Sequence, residues 1–214
     1  MPSFSYDFPY ASRKLPVFAG NVVATSQHLA ATAGLRMLAR GGNAVDAAIA
    51  TAIAITVVEP TMNGIGADAF CILWDGQKLV GLNASGHSPA LMTPDRYAGQ
   101  AAMPGVGWGS VTTPGAVSLW MELHKRYGKL PFADLFEPGI KYAHDGFRVS
   151  YMVARQWERA IDRLKGQESW VKAFLPNGRA PKPGEIWKFP DQARTLKLIA
   201  ETKGEAFYRG ELAE

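Results

Sequence analysis

The run from Ala44 to Val58 leaves this chain few ways to fold. Nearly every position in it is apolar, and only Asp46, Thr51 and Thr56 interrupt. A helix of this sequence has no polar face, and a helix apolar all round is buried. Its limits are also written in residues. Gly41-Gly42 suits the end of a preceding helix, because glycine reaches the left-handed conformation that helix C-termini use. Asn43 can cap the new helix with its side-chain oxygen, and Pro60 disfavours helical geometry at Glu59. A membrane span needs about 20 apolar residues; this run is shorter and carries Asp46 near its start. The prediction is a core helix that serves as scaffold, its alanines letting neighbouring backbones approach closely. Asp46 falls in the first turn, where the helix macrodipole favours negative charge, and is read as structural.

The flanking sequence supplies layers to pack on that helix. Asn21 to Thr25 is a short β-prone run, and Ser26 is positioned to cap a helix over about 27–40. Ala69 to Trp74 and Gln77 to Leu82 read as two strands joined at Asp75-Gly76, a strong hairpin signal. Ser110 to Thr113 reads as a further strand. Helices are predicted over Ala116–Tyr127, Phe132–Asp145 and Gln192–Thr202. This is an α/β chain with stacked layers. It divides into an N-terminal arm (1–20), an α/β core (21–150) and a helical region (151–214) with a linker of Pro176, Gly178, Pro181, Pro183 and Gly184.

Composition narrows the function classes. The 214 residues carry a net charge of +4 with no long Lys/Arg run, so the clustered basic face of a nucleic-acid binder is missing, and no membrane partner is implied. The N-terminus lacks a basic region followed by an apolar stretch, the physical form of a signal peptide; a cytoplasmic location is expected. A single cysteine, Cys71, excludes an intramolecular disulfide and sits in an apolar run, as a buried inert thiol would. No spacing of His, Cys or acidic residues matches a metal site. Gly64-Ile65-Gly66 follows a helix and precedes a strand, the reverse of a dinucleotide-binding fingerprint.

One loop remains as a candidate site. Asn83-Ala84-Ser85-Gly86-His87-Ser88-Pro89 follows the second strand, and binding groups concentrate in loops held on a rigid sheet. Asn83, Ser85 and His87 are the candidate substrate-binding residues. The same residue types also populate ordinary turns, so the loop alone assigns no chemistry.

Several long motifs, in fixed order, resemble the large subunit of the γ-glutamyltransferases. They are Val23-Ala24-Thr25-Ser26, Gly41-Gly42-Asn43-Ala44-Val45-Asp46-Ala47-Ala48, Val58-Glu59-Pro60 and Asn63-Gly64-Ile65-Gly66. Further on come Thr113-Pro114-Gly115, Tyr127-Gly128-Lys129-Leu130-Pro131, Pro138-Gly139-Ile140, Gly146-Phe147 and Ala206-Phe207-Tyr208-Arg209-Gly210. The resemblance implies an N-terminal nucleophile (Ntn) hydrolase of αββα layers, of which this chain would be the N-terminal portion with an added helical region. In that family one precursor cuts itself and exposes a threonine at the start of a small subunit. The threonine hydroxyl attacks an amide or γ-glutamyl bond with its own amine as base, and backbone donors stabilise the oxyanion. The implied partners are that small subunit, in a heterodimer or a dimer of heterodimers, and a small-molecule amide. No metal or organic cofactor is implied.

Two departures from the family pattern bear on function. The chain reaches Glu214 without a residue matching the processing threonine, so no catalytic residue is expected within it. Glutathione-cleaving members also carry an arginine in the loop after the second strand, to hold the glutamyl carboxylate. Here Ser85 takes that place, and serine cannot form a bidentate charge-assisted pair. The loop is closer to an acylase-type branch that includes cephalosporin-acylase-like and oxamate-hydrolysing proteins, where a cation sits two positions later, at His87. The expectation is a small acyl amide such as oxamate as substrate, with γ-glutamyl transfer or hydrolysis as the alternative within the family. An alternative of another class is a non-catalytic binding module.

Overall fold

The computed structural model describes residues 17–214. Residues 1–16, most of the predicted arm, lie outside the described part.

The first two helices form the spine. Helix α1 (His28–Ala39) begins at Gln27, whose side-chain oxygen accepts the Leu29 and Ala30 N–H groups. The predicted cap, Ser26, instead donates its hydroxyl to Glu59 Oε2 at 2.6 Å. Gln27 sits one residue nearer the first turn with a longer side chain, and so reaches those donors itself. The helix closes where Gly42 N–H donates to Met37 O (2.9 Å) and Gly41 N–H to Leu38 O (3.0 Å), with Gly41 at φ +85, the glycine-terminated closure the sequence predicts. Helix α2 (Ala44–Val58) occupies the predicted range, capped by Asn43. At Gly34 the two helices nearly touch: a Cβ there would lie 2.3 Å from Thr51 Oγ1 and 2.9 Å from Ala47 O.

Burial of α2 is less complete than its composition predicts. Ala44 and Ala48 are exposed and Thr51, Ala52 and Ile55 half-buried, a single stripe along the helix. Beside it runs the segment 20–25, which is in no strand. The β-prone run there finds no partner strand among the described residues, and an unpaired run does not make a sheet.

Asp46 is fully buried and ties the head of α2 to the far side of the core. Its carboxylate accepts the Asn43 N–H at 2.9 Å, the Lys129 N–H at 3.0 Å and the Leu130 N–H at 3.2 Å. Asn43 reinforces the joint by donating its side-chain amide to Tyr127 O at 2.6 Å. Gly42 leaves room for it, since a Cβ would lie 2.8 Å from Leu130 Cδ1 and 3.0 Å from Asp46 Oδ2.

The sheet is a hairpin of β1 (Ala69–Trp74) and β2 (Leu79–Ala84), registered Trp74 with Leu79 and Ala69 with Ala84. Its second strand starts and ends two residues later than predicted. The two-residue turn is replaced by a four-residue loop, in which the Asp75 carboxylate accepts the Gln77 and Lys78 N–H groups, both at 2.9 Å. The inner face, with Cys71, Leu73 and Leu82, packs on the helices. On the outer face Phe70, Ile72, Trp74 and Leu79 are 62–79% exposed.

Helix α3 (Ala116–Tyr127) matches its predicted span. The predicted helix over 132–145 divides into a tight 3-10 turn (Phe132–Phe136) and helix α4 (Glu137–Asp145), with Pro138 in its first turn. Gly139 presses on α2, a Cβ there falling 3.1 Å from Ile53 Cγ2. After the short strand β3 (Phe147–Arg148) come α5 (Tyr151–Leu164), α6 (Glu168–Phe174) and β4 (Ile186–Trp187), which pairs with β3. Trp157 is fully buried among them, stacked on Phe189 at 6.0 Å and donating its indole N–H to Phe174 O at 3.1 Å. Helix α7 (Pro190–Glu201) returns to the spine, where the Gln192 side chain donates to Thr56 O at 3.1 Å. Helix α8 (Glu205–Arg209) follows a turn in which Gly204, at φ +84, presses on the Met121 sulfur.

Among the described residues no helix is long and apolar enough to cross a membrane. Cys71 is half-buried on the inner sheet face, and burial pushes its thiol pKa up.

Asp46→Ala in the full-length protein would leave three backbone donors without their acceptor, at a cost of about 1–3 kcal/mol for even one buried group left unsatisfied. Urea denaturation should show a loss at or above that range, and a loss below about 0.5 kcal/mol, the size of an ordinary surface substitution, would contradict the capping role. Native Cys71 should react with iodoacetamide at pH 8 several-fold more slowly than in urea; equal rates would place the thiol in an open setting.

Candidate functional site

The loop after β2 is held by a close crossing of backbones. Gly86, at φ +76, faces Thr113 so closely that a Cβ would lie 1.7 Å from Thr113 O. Gly115 faces Ala84 in the same way, with 1.9 Å from a Cβ to Ala84 O. No other side chain fits either position. The crossing is then tied by hydrogen bonds: Thr113 N–H donates to His87 O at 3.0 Å and Thr112 Oγ1 to Ser85 O at 3.2 Å. Ala67 O, just before β1, accepts the Gly115 and Ala116 N–H groups at 3.1 and 2.9 Å. The predicted strand at Ser110–Thr113 is a 3-10 turn (Trp108–Ser110) followed by extended backbone, because its contact with the 85–87 loop is too short for a ladder.

The three predicted residues meet in this turn but not in equal roles. Asn83 uses its side-chain oxygen to accept the Ser85 N–H at 2.9 Å, so it closes the turn. Ser85 is half-buried and His87 exposed. Among the described residues neither the Ser85 hydroxyl nor the His87 ring has a hydrogen-bond partner. Both are available to a ligand, as a free donor–acceptor and a free imidazole on a rigid backbone.

The motif Ala206-Phe207-Tyr208-Arg209-Gly210 acts on the same place. The Tyr208 hydroxyl donates to Pro114 O at 2.9 Å and accepts the Ser118 N–H at 2.9 Å, bracing the start of α3. Gly86, Thr112, Thr113, Gly115 and Tyr208 position the turn, a role the sequence reading assigns to none of them. Thr113-Pro114-Gly115 was the signal that could have found some of them, since a glycine after a proline at a helix start marks a close approach. Among the described residues no group of three or more His, Cys, Asp or Glu is placed to hold a metal ion.

Comparison with known proteins places this arrangement. A model of the gamma-glutamyltranspeptidase family matches residues 30–214. The chain is 40% identical over 196 residues to the glutathione hydrolase-like YwrD proenzyme of Bacillus subtilis, covering 90% of this chain and 37% of that protein. It is 37% identical over 194 residues to the oxamate amidohydrolase proenzyme of Klebsiella pneumoniae, covering 87% and 37%. Among solved structures, cephalosporin acylase from Bacillus halodurans superposes with a TM-score of 0.89 at 49% identity, covering 96% of this chain and 40% of that one. Helicobacter pylori gamma-glutamyltranspeptidase superposes with a TM-score of 0.87 at 26% identity, covering 94% and 59%. The chain thus spans a little over a third of the length of these curated relatives, in the N-terminal part of the large subunit, and carries the Ntn-hydrolase fold of its structural neighbours. On the match of sequence and of fold together, the chain belongs to the gamma-glutamyltranspeptidase family.

Proposed function

We propose that this chain is the N-terminal part of the large subunit of an amidohydrolase, made as one precursor with the small subunit that carries the nucleophilic threonine. The substrate is a small acyl amide with a carboxylate, oxamate being the first choice, cleaved through an acyl-enzyme on that threonine. The observation that carries this reading is the pinned turn at the end of β2. It offers a serine hydroxyl at position 85 and a free imidazole two residues on, in place of a guanidinium suited to a glutamyl carboxylate. Similarity to cephalosporin acylase and to oxamate amidohydrolase supports the same branch.

The outer hairpin face supports the two-subunit part. Four large apolar side chains exposed on a two-stranded sheet call for a covering layer, since such a hairpin is marginal by itself and patches of this kind mark interfaces. The partner proposed is the small subunit of the same precursor, in a heterodimer that can pair again.

A γ-glutamyl hydrolase or transferase is the second reading. It is favoured by the glutathione hydrolase relatives, including that of Schizosaccharomyces pombe at 34% identity over 214 residues. Steady-state kinetics of the full-length, processed enzyme on oxamate and on a γ-glutamyl anilide separate the two. The acylase reading expects turnover of oxamate and little of the anilide; robust anilide turnover alone would replace it with the second.

Residues 1–214 produced alone should hydrolyse neither substrate, and turnover by that purified piece would overturn the placement of the nucleophile. In the processed enzyme His87→Ala should raise KM for oxamate roughly ten- to hundred-fold, the size of a lost hydrogen bond to a charged group, with a smaller change in kcat, the pattern of lost ground-state binding. An unchanged KM would reduce His87 to a support of the turn.

A further inference from the structure

The segment that leaves the pinned turn at Ser88 and returns at Val111 folds back over itself and encloses a cavity of about 390 Å³. Its walls include Leu91, Met92, Arg96, Trp108, Thr112 and Thr113. Between Lys78 and Glu122 the only Asp, Glu, Lys or Arg residues are Asp95 and Arg96. Among the described residues that line the cavity, Arg96 is the one cation.

Its backbone is held and its side chain is not. Arg96 lies in the 3-10 turn Pro94–Tyr97, with its N–H donating to Thr93 O at 3.1 Å. The next residue anchors that turn across the cavity, the Tyr97 hydroxyl lying 3.0 Å from Gly109 O and against the Met92 sulfur. Yet the guanidinium has no hydrogen bond or ion pair among the described residues, and the adjacent Asp95 does not pair with it. The Thr113 hydroxyl is likewise without a partner among the described residues. Trp108, which also lines the cavity, is 89% exposed, a flat apolar surface of the kind that stacks on a guanidinium or covers a ligand. Thr113 lines the cavity and also bonds the turn, its N–H donating to His87 O at 3.0 Å.

We propose that Arg96 binds the carboxylate of the substrate, with the Thr113 hydroxyl as a second donor, and so decides selectivity for acidic over neutral amides. A planar guanidinium presents paired N–H donors that match a carboxylate's two oxygens. The unpaired state of Arg96, in a cavity that Thr113 and an exposed tryptophan also line, is the arrangement such a ligand fills. This rests on the amidohydrolase reading for the identity of the reaction, but not for the binding of the anion.

The test uses the processed full-length enzyme with Arg96→Ala and Arg96→Lys, each checked for an unchanged melting temperature. Kinetics are measured on oxamate and on its neutral counterpart oxamide, and binding of oxalate by calorimetry. Arg96→Ala should raise KM for oxamate roughly ten- to hundred-fold, the loss of a charge-assisted pair, leave oxamide within about two-fold, and abolish oxalate binding. Arg96→Lys should recover part of both, because lysine keeps the charge without the fork. Equal effects on oxamate and oxamide, or oxalate binding unchanged in Arg96→Ala, would overturn the proposal while leaving the amidohydrolase intact. Conversely, a wild type that turns over no amide but binds oxalate only when Arg96 is present would end the functional reading and keep this one. A wild type that does neither would end both.

Discussion

The structure depends on one buried carboxylate. Asp46 sits at the start of an apolar helix with no ion-pair partner among the described residues, and burying a charge without compensation is costly. Here the compensation is three backbone N–H donors, two of them from residues more than eighty positions away. The same contact satisfies the first turn of α2 and fixes the Tyr127–Leu130 turn after α3. It therefore sets how α2 and α3 stand relative to each other, and with them the hairpin that packs on α3. Gly42 and Asn43 serve it from either side, one by leaving space and the other by bonding Tyr127 O.

What the sequence discloses follows from how local each cause is. The bounds of α2 were legible because a capping side chain, an apolar run and a proline all act within a few residues of one another. The hairpin was legible in position but not in register, since Asp75 organises a four-residue loop through its own side chain. Two β-prone runs, at 21–25 and 110–113, failed to become strands because pairing is supplied by other parts of a molecule. The incomplete burial of α2 was hidden for the same reason. Composition says which side chains seek cover, not whether cover lies within this stretch of chain.

The candidate site divides along the same line. Asn83, Ser85 and His87 came from loop chemistry and from family resemblance, and the structure brings them into one turn. Gly86 and Gly115 give that turn its rigidity through a crossing that admits no side chain. Arg96 could not be found by pattern, because its neighbours Thr113 and Trp108 are more than ten residues distant in sequence and adjacent only through the fold. A ligand held by a pinned turn on one wall and by a braced 3-10 turn on the other would meet groups already in place, which lowers the ordering cost of binding.

The outer face of the hairpin has a consequence for how the molecule must be made. Phe70, Ile72, Trp74 and Leu79 lie open beside two strand edges that no described residue pairs, and such edges are templates for pairing with other chains. If the covering layer belongs to the same precursor, a covalent link presents it at a local concentration in the millimolar range for a short flexible connection, far above that of any stray partner. Cleavage of the precursor is then safe only once that layer has docked. On this view late processing does more than release a nucleophile. It keeps the two halves on one chain through the interval when this surface is most open to misassembly.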